Sequence, residues 1–177
     1  MPSSPIVRDV QTADAERICE IYGHYVLHTT ATFEIAPPGT EEMIRRIRRV
    51  LEKHAWLVAE EGGIVIGYAY GSTFKERAAY AYSTEVTVYV DENRRGGGVG
   101  KLLFGRLLDR LQSLGLVQAI GGIALPNPAS VRLHERFGFE KVAHLRRVGY
   151  KLGRWIDVGY WQKQINPFSA AENSQTI

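Results

Sequence analysis

The chain has 177 residues, 45% of them hydrophobic, and a formal net charge of +3 at pH 7. This length and composition suit one domain with a substantial core, and they exclude a disordered chain and a small fold stapled by disulfides. Cys19 is the only cysteine, so an intramolecular disulfide and a cysteine-based metal cluster are also excluded.

The N-terminal segment Met1-Pro2-Ser3-Ser4-Pro5 lacks the basic start and apolar run of a secretory signal. No apolar stretch is long enough to cross a bilayer, so we expect a soluble, cytoplasmic protein. Residues 1–165 contain neither a repeat nor a linker, which predicts a single domain. Residues 166–177 lack periodicity and are expected to form a loose tail.

The first quarter of the chain predicts a strand and two amphipathic helices. The strand covers residues 6–10, Thr12 is the expected cap of the first helix, and Thr40 starts the second. Apolar residues at helical spacing are expected to face the core: Ile18, Ile21, Tyr22, Met43, Ile44, Ile47 and Leu51.

Next come three predicted strands. Apolar runs at residues 56–59 and 64–68 flank a Gly62-Gly63 turn, which is typical of an antiparallel hairpin. Residues 83–90 alternate, so one face of this strand is polar and needs a functional reason. The two expected faces are Val86, Val88 and Val90 against Glu85, Thr87 and Tyr89.

The remaining elements alternate between helix and strand. A helix over residues 101–114 ends at Gly115, with Leu103, Leu107, Leu111 and Leu114 along one stripe. Asn127-Pro128 is a typical helix start, and this helix runs to Gly138. Three strands complete the pattern, at residues 117–125, 143–151 and 155–164. The order predicts an α/β (α+β) fold around a sheet of antiparallel character.

A glycine-rich segment, Arg95-Gly96-Gly97-Gly98-Val99-Gly100-Lys101, joins the polar strand to the long helix. Unpaired backbone N–H groups and the positive end of the helix dipole meet there, which predicts a phosphate site. A Walker loop would need glycine at Arg95 and Ser or Thr at Leu102. A dinucleotide fingerprint would need glycine at Lys101, so both are excluded.

Arg95-x-x-Gly98-x-Gly100 resembles the pyrophosphate loop of the GNAT superfamily of acetyl-CoA-dependent N-acetyltransferases. Residues 127–139 are similar to the second cofactor segment of that superfamily. Further segments resemble its phosphinothricin and methionine sulfoximine acetyltransferase group, and the resemblance covers residues 6–165. These segments are Glu85-x-Thr87-Val88-Tyr89-Val90, Ser130-Val131-Arg132-Leu133-His134-Glu135, residues 149–162 and, more weakly, residues 29–34 and 67–70.

The resemblance implies a GNAT fold, with a mixed central sheet splayed between its fourth and fifth strands and flanked by helices. Acetyl-CoA is then expected where the strands holding Val88 and Ala124 separate. It also implies the residues that contact this cofactor, with Asn127 near the pantetheine, although Asn127 can equally be a helix cap. The implied contacts are Val88, Tyr89, Val90, Arg95, Gly96, Gly97, Gly98, Val99, Gly100, Lys101, Asn127 and Ser130. No metal is expected.

Two catalytic residues follow from the resemblance. It assigns the general base to Glu85, which would take a proton from the attacking amine; without the motif, Glu85 would be a solvated strand residue. A backbone N–H within residues 88–90 is the expected oxyanion donor. His134 stands where many GNAT enzymes have tyrosine, and it can act as an acid, assist the base or be purely structural.

The expected amine-binding residues are Phe33, Glu34, Phe74, Lys75, Arg77, Tyr80 and Thr87. Arg77 can pair with a carboxylate or phosphinate, or be a solvated loop residue. Trp155 and Trp161 are interpreted as core or dimer-interface residues. The arginines of the second helix and the scattered histidines suggest neither nucleic-acid nor metal binding.

The sequence therefore predicts direct transfer of acetyl from acetyl-CoA to the α-amino group of a small amino acid or analogue. Phosphinothricin, methionine sulfoximine and methionine sulfone are the expected types, and Cys19 lies away from both motifs, which leaves no covalent carrier. The resemblance also implies a homodimer, with no nucleic-acid or membrane partner. The alternatives are a GNAT enzyme acting on a protein N-terminus or polyamine, and a CoA-binding regulatory module without turnover.

Overall fold

The computed structural model describes residues 4–169, in which seven strands form one mixed sheet flanked by four helices. Within these residues, no helix is both long and apolar enough to span a membrane. In chain order the elements are β1 (Ile6–Asp9), α1 (Ala15–His28), α2 (Thr40–Leu51), β2 (Trp56–Glu61), β3 (Ile64–Thr73), β4 (Ser83–Val90), α3 (Val99–Ser113), β5 (Gln118–Leu125), α4 (Pro128–Arg136), β6 (Glu140–Lys151) and β7 (Arg154–Gln164).

The sheet is splayed between β4 and β5. Its strand order is β1-β2-β3-β4-β5-β7-β6, and only the β4–β5 pair is parallel. These two strands pair over three positions, from Ser83 with Gln118 to Glu85 with Ile120, and then part. Beyond Glu85 the edge of β4 is free of β5, so the predicted splay is confirmed.

The sheet carries one apolar cluster on each face. Helix α3 covers one face, where Leu103, Leu107 and Leu111 are fully buried. Helices α1 and α2 cover the other, with Ile18, Ile47 and an aromatic group around Tyr68. Strand β4 sends Val86, Val88 and Val90 to the α3 side and Tyr89 to the α1 side, which confirms the predicted alternation.

Three details of the helices differ from the sequence expectation. Thr12 does not cap α1: it starts a 3-10 turn, and the Asp14 carboxylate accepts the Gln11 N–H at 2.7 Å. In α2 the buried positions are Met43, Ile47 and Val50, so Leu51 falls outside the inward stripe and is exposed. Leu114 is likewise exposed, because it lies beyond the last regular turn of α3.

Strand β6 forms an edge of the sheet and contains a bulge. The register with β7 shifts between Leu145 and Gly149, and Arg147 adopts a left-handed conformation with φ of 53°. The Arg147 N–H donates to Asp157 Oδ1 of β7 at 2.9 Å, which holds the bulge in place. Val148 lies within this bulge and Leu145 is the last paired residue before it, and both line the cavity described below.

At the C-terminal end, Asn166 is anchored rather than free. Its Nδ2 donates to the carbonyls of Gln112 and Leu116 at 2.7 and 2.8 Å. The chain is therefore held to the end of α3 at this point. Residues 170–177 of the predicted tail lie outside the described residues.

Candidate active site

A cavity of about 970 Å³ opens where β4 and β5 diverge. The glycine-rich segment of residues 95–101, hereafter the phosphate loop, forms one end of the cavity together with the start of α3. Helix α4 contributes a side wall. Residues 29–33, which follow α1, and the β6 bulge enclose the rest. Among its lining residues are Tyr22, Tyr25, Tyr70, Glu85, Thr87, Val88, Tyr89, Val90, Arg95, Gly96, Gly98, Val99, Gly100, Lys101, Asn127, Ser130, His134 and Tyr160.

The loop before α3 exposes backbone donors to this cavity. Gly96 and Gly98 have φ values of +83° and +80°, a conformation that glycine adopts without penalty. The first hydrogen bond of α3 runs from Leu102 N–H to Gly98 C=O, so the three preceding N–H groups of the helix have no partner within it. These donors and the helix dipole favour a diphosphate.

Two side chains add positive charge at this end. The Arg95 guanidinium lies 5.0 Å from the centre of the Tyr25 ring, and Lys101 is exposed in the first turn of α3. Within residues 4–169 neither forms an ion pair, whereas Arg94 is paired with Glu61 at 2.7 Å. Arg95 and Lys101 are therefore available to an anion.

The free edge of β4 offers one backbone donor to the gap. Asp91 N–H donates to Ile66 C=O of β3, so by alternation the backbone of Tyr89 bonds to β3 and that of Val88 and Val90 points toward the splay. The Tyr25 hydroxyl donates to Val90 C=O at 2.6 Å and accepts from Val90 N–H at 3.4 Å. Of the backbone N–H groups of residues 88–90, one of which is the expected oxyanion donor, only that of Val88 is therefore free to face the splay.

Glu85 lies at the last paired position of β4, where the splay begins. A Cβ atom built on Gly122 of β5 would lie 3.1 Å from Glu85 Oε1 and 3.3 Å from the Tyr160 ring, so the carboxyl reaches across to bare backbone. Within residues 4–169 it has no ion-pair or hydrogen-bond partner. Burial raises the pKa of the Glu85 carboxyl, which makes its carboxylate a stronger base.

His134 is buried, with 3% of its surface exposed, between the rings of Phe104 and Phe139. Its Nδ1–H donates to the Ser130 carbonyl at 2.8 Å, because that oxygen can only accept. Nε2 has no partner among the described residues and lies over Gly121, where a methyl group would overlap the ring. In this form Nε2 can accept a proton but cannot donate one.

Glu85 and His134 therefore lie on opposite faces of β5. A side chain at Gly121 would meet His134, and one at Gly122 would meet Glu85. Successive residues of a strand point to opposite faces, so only the backbone of β5 separates the two groups.

Comparison with known proteins decides the family. The profile of the "Acetyltransferase (GNAT) domain" matches residues 7–159. The chain belongs to the GNAT acetyltransferase family. It is 39% identical to a phosphinothricin N-acetyltransferase of Streptomyces viridochromogenes over 157 residues, which cover 89% of this chain and 86% of that one.

Two further proteins extend this likeness. The L-methionine sulfoximine/L-methionine sulfone acetyltransferase of Salmonella typhimurium is 35% identical over 94% of this chain and 98% of its own. A GNAT phosphinothricin acetyltransferase of Sinorhizobium meliloti, solved in complex with acetyl-CoA, superposes with a TM-score of 0.88. It is 38% identical and covers 92% of this chain and 89% of that one.

The residues of this GNAT acetyltransferase fit acetyl-CoA. The diphosphate needs convergent N–H donors and nearby cations, and the start of α3, Arg95 and Lys101 supply both. The splay offers an extended slot with the free edge of β4 on one side and α4 on the other. Asn127 caps α4 by accepting Ser130 N–H at 3.1 Å and also lines the slot, so its two interpretations are compatible.

The predicted amine-binding residues fall into three groups. Phe33 and Thr87 line the cavity. Glu34 lies behind its wall, where its carboxylate accepts from Arg46 at 2.6 Å and from Tyr22 at 2.9 Å. The others are not among the lining residues: Phe74, Lys75, Arg77 and Tyr80, of which Arg77 is exposed.

Several residues that line the cavity were not predicted from the sequence as site residues. Tyr22, Tyr70 and Tyr160 line the cavity, as do Leu145 and Val148 of β6, and the Tyr160 ring lies beside Glu85 at Gly122. Tyr70 and Tyr160 belong to segments that resemble the family, which was the available signal. Within residues 4–169, no three His, Cys, Asp or Glu side chains are grouped to hold a metal ion.

The environment of His134 predicts a pH effect on stability. Burial lowers the pKa of His134 below its ordinary value of 6.5, and the bond to Ser130 offsets part of that effect. The unfolded chain therefore binds the proton more readily, and the free energy of unfolding falls as the pH falls below about 6.5. We expect His134→Gln to flatten this slope in urea titrations, with the exposed His28→Gln as control. If the free energy of unfolding has the same pH dependence in wild type and His134→Gln, His134 is not the group responsible.

Proposed function

We propose that this protein transfers acetyl from acetyl-CoA to the α-amino group of a small amino acid or analogue of the phosphinothricin and methionine sulfoximine type. The observation that carries the proposal is the unpartnered, half-buried Glu85 carboxyl at the start of the splay. The names of the relatives support the acceptor class. By acceptor we mean the amine that receives the acetyl group.

The proposed steps assign one role to each group. Acetyl-CoA, when bound, would supply a thioester carbonyl; attack by an unprotonated amine forms the amide bond and breaks the C–S bond, and the amine's remaining N–H proton balances the CoA thiolate, which leaves as the thiol. Glu85 removes the proton from the acceptor's ammonium, directly or through water, because burial raises the pKa of its carboxyl and makes the carboxylate a stronger base. Val88 N–H faces the splay and is the donor placed to stabilise negative charge on the carbonyl oxygen. Arg95, Lys101 and the start of α3 hold the diphosphate.

The cavity favours direct transfer without a covalent enzyme intermediate. Cys19 is the only cysteine; it lies in α1 and is not among the lining residues. Burial raises the pKa of its thiol, which further reduces its nucleophilic form. His134, on the other face of β5, is proposed to accept rather than donate a proton at Nε2.

The decisive experiment measures thiol release from acetyl-CoA. The purified protein is given phosphinothricin, methionine sulfoximine or methionine sulfone, and in parallel a polyamine and a short peptide. Release with the amino acids alone supports the proposal. Release with peptide or polyamine alone overturns the acceptor class but keeps the family, and tight acetyl-CoA binding without release from any amine identifies a binding module.

The role of Arg77 is tested by substitution. Arg77 is exposed and is not among the cavity-lining residues. If it pairs with the acidic group of the acceptor, Arg77→Ala raises KM for phosphinothricin and leaves KM for acetyl-CoA unchanged, which is the expected result. An unchanged KM for phosphinothricin would show that Arg77 is a solvated loop residue that does not bind the acceptor.

We also propose that the protein is a homodimer. The β6–β7 hairpin exposes a row of large apolar side chains, including the Tyr150–Trp155 pair, whose ring centres are 5.3 Å apart. Trp155 is 61% exposed, whereas Trp161 is buried in the core, so only Trp155 is available to a partner. Apolar surface of this kind favours association. The mass in solution, measured by light scattering, decides between one and two copies.

A further inference from the structure

Lys151 carries a buried positive charge that the proposed reaction does not use. It ends β6 and is 5% exposed. Its Nζ donates to the Thr32 carbonyl at 2.7 Å and to the Tyr25 carbonyl at 3.5 Å. Within residues 4–169 it forms no ion pair. Burying an ammonium group is unfavourable unless its hydrogen bonds compensate, so these two carbonyls are significant partners.

The surrounding charges explain why Lys151 bonds to backbone. The carboxylate of Glu34 is already paired with Arg46 and Tyr22. The Tyr25 carbonyl lies in the last turn of α1, at the negative end of its dipole, and also accepts from Thr29 N–H. Burial lowers the pKa of Lys151. The ammonium therefore joins the end of α1 to the segment that follows it.

That segment is a wall of the cavity. Residues 29–33, hereafter the acceptor wall, all line it. Two contacts fix the acceptor wall to β6: the bond from Lys151 to Thr32, and the Phe33 ring, which packs against bare backbone at Gly149. Lys151 and Gly149 are two residues apart and face the same side of the strand.

We propose that Lys151 is a positioning residue for the amine acceptor: its ammonium holds the acceptor wall against β6 at the side of the cavity where Glu85 acts. This inference rests on the proposed function for the identity of the acceptor, but not for the contacts themselves. Lys151 is not among the cavity-lining residues, so its effect is on acceptor affinity rather than on proton transfer.

The chain offers a matched control. Lys163 of β7 donates to the Phe137 carbonyl at 2.7 Å, just after α4, and is not among the cavity-lining residues. Lys151→Met removes two lysine-to-carbonyl bonds and Lys163→Met removes one, each beside the C-terminal end of a helix. We expect Lys151→Met to raise KM for methionine sulfone about tenfold, with kcat and KM for acetyl-CoA within about twofold of wild type. Lys163→Met should leave all three unchanged.

Hydrogen exchange gives a readout that needs no turnover. Amides of the acceptor wall should lose protection in Lys151→Met and keep it in Lys163→Met, while β2 and β3 stay protected in both. Lys151→Arg retains donors on a longer side chain and should restore part of the acceptor KM. If Lys151→Met does not fold, Lys151→Arg is compared with wild type and a raised acceptor KM of about threefold is expected.

Three results overturn the proposal. These are equal effects of Lys151→Met and Lys163→Met, a parallel rise in both Michaelis constants, and unchanged protection of the acceptor wall. If wild type acetylates no amino acid, the proposed function fails. The exchange measurement then still decides whether Lys151 holds the acceptor wall.

Discussion

Glu85→Gln is expected to lower kcat by about 10²-fold or more while leaving the dissociation constant of acetyl-CoA within about twofold. The amide keeps the size of the carboxyl and its position over Gly122, but it cannot accept the proton of the acceptor. Steady-state kinetics together with calorimetric titration of acetyl-CoA separate the two quantities. Equal losses in both would mean that Glu85 shapes the splay instead of acting as the base.

The pH dependence makes this test sharper. Because burial raises the pKa of Glu85, kcat/KM of the wild type should fall on the acid side at an apparent pKa above the ordinary 4.5. In Glu85→Gln that limb should vanish. The deficit of the variant should also shrink at alkaline pH, since the amine then loses its proton without help. A deficit that is constant over the whole pH range would contradict proton removal by Glu85.

Gly98→Ala is expected to raise the dissociation constant of acetyl-CoA about tenfold or more. Gly98 holds a left-handed conformation at the start of α3, and an added Cβ there costs about 1 kcal/mol and shifts the donors that face the diphosphate. The measurement is calorimetric titration of acetyl-CoA, beside urea unfolding of each variant.

Gly115→Ala is the matched control. Gly115 follows the same helix at its other end, with φ of +79° and, like Gly98, no atom within 4 Å of an added Cβ. Both substitutions should lower the free energy of unfolding by about 1 kcal/mol, but only Gly98→Ala should weaken acetyl-CoA binding. Equal acetyl-CoA affinities in the two variants would show that the geometry of Gly98 does not govern the diphosphate site.

Local signals predicted most of the fold. The Gly62-Gly63 turn, the Asn127-Pro128 helix start and the alternation in β4 are each fixed by residues close together in the chain, and the structure has them as expected. The exceptions are at helix ends. Thr12, Leu51 and Leu114 fit the helical pattern, but whether the last turn is regular and buried depends on tertiary packing.

The candidate site was predictable where it depends on one segment. The phosphate loop, Glu85 and His134 belong to recognisable motifs and all line one cavity. Lys151 was not predictable as a structural element of the site, since its partners, Tyr25 and Thr32, are over a hundred residues away in the chain. The choice of Val88 over Tyr89 likewise needed the register of β3 against β4.

The β6 bulge affects which acceptor side chains the cavity can accommodate. Val148, which lines the cavity together with Leu145, lies in an excursion that the strand makes between two points of pairing with β7. As an edge strand, β6 has one neighbour to satisfy, so residues can be added or removed in the excursion without disturbing the remaining sheet. The volume open to the acceptor's side chain can thus be changed by the length of this excursion of β6 as well as by substitution. Such changes leave Glu85 and the phosphate loop in place.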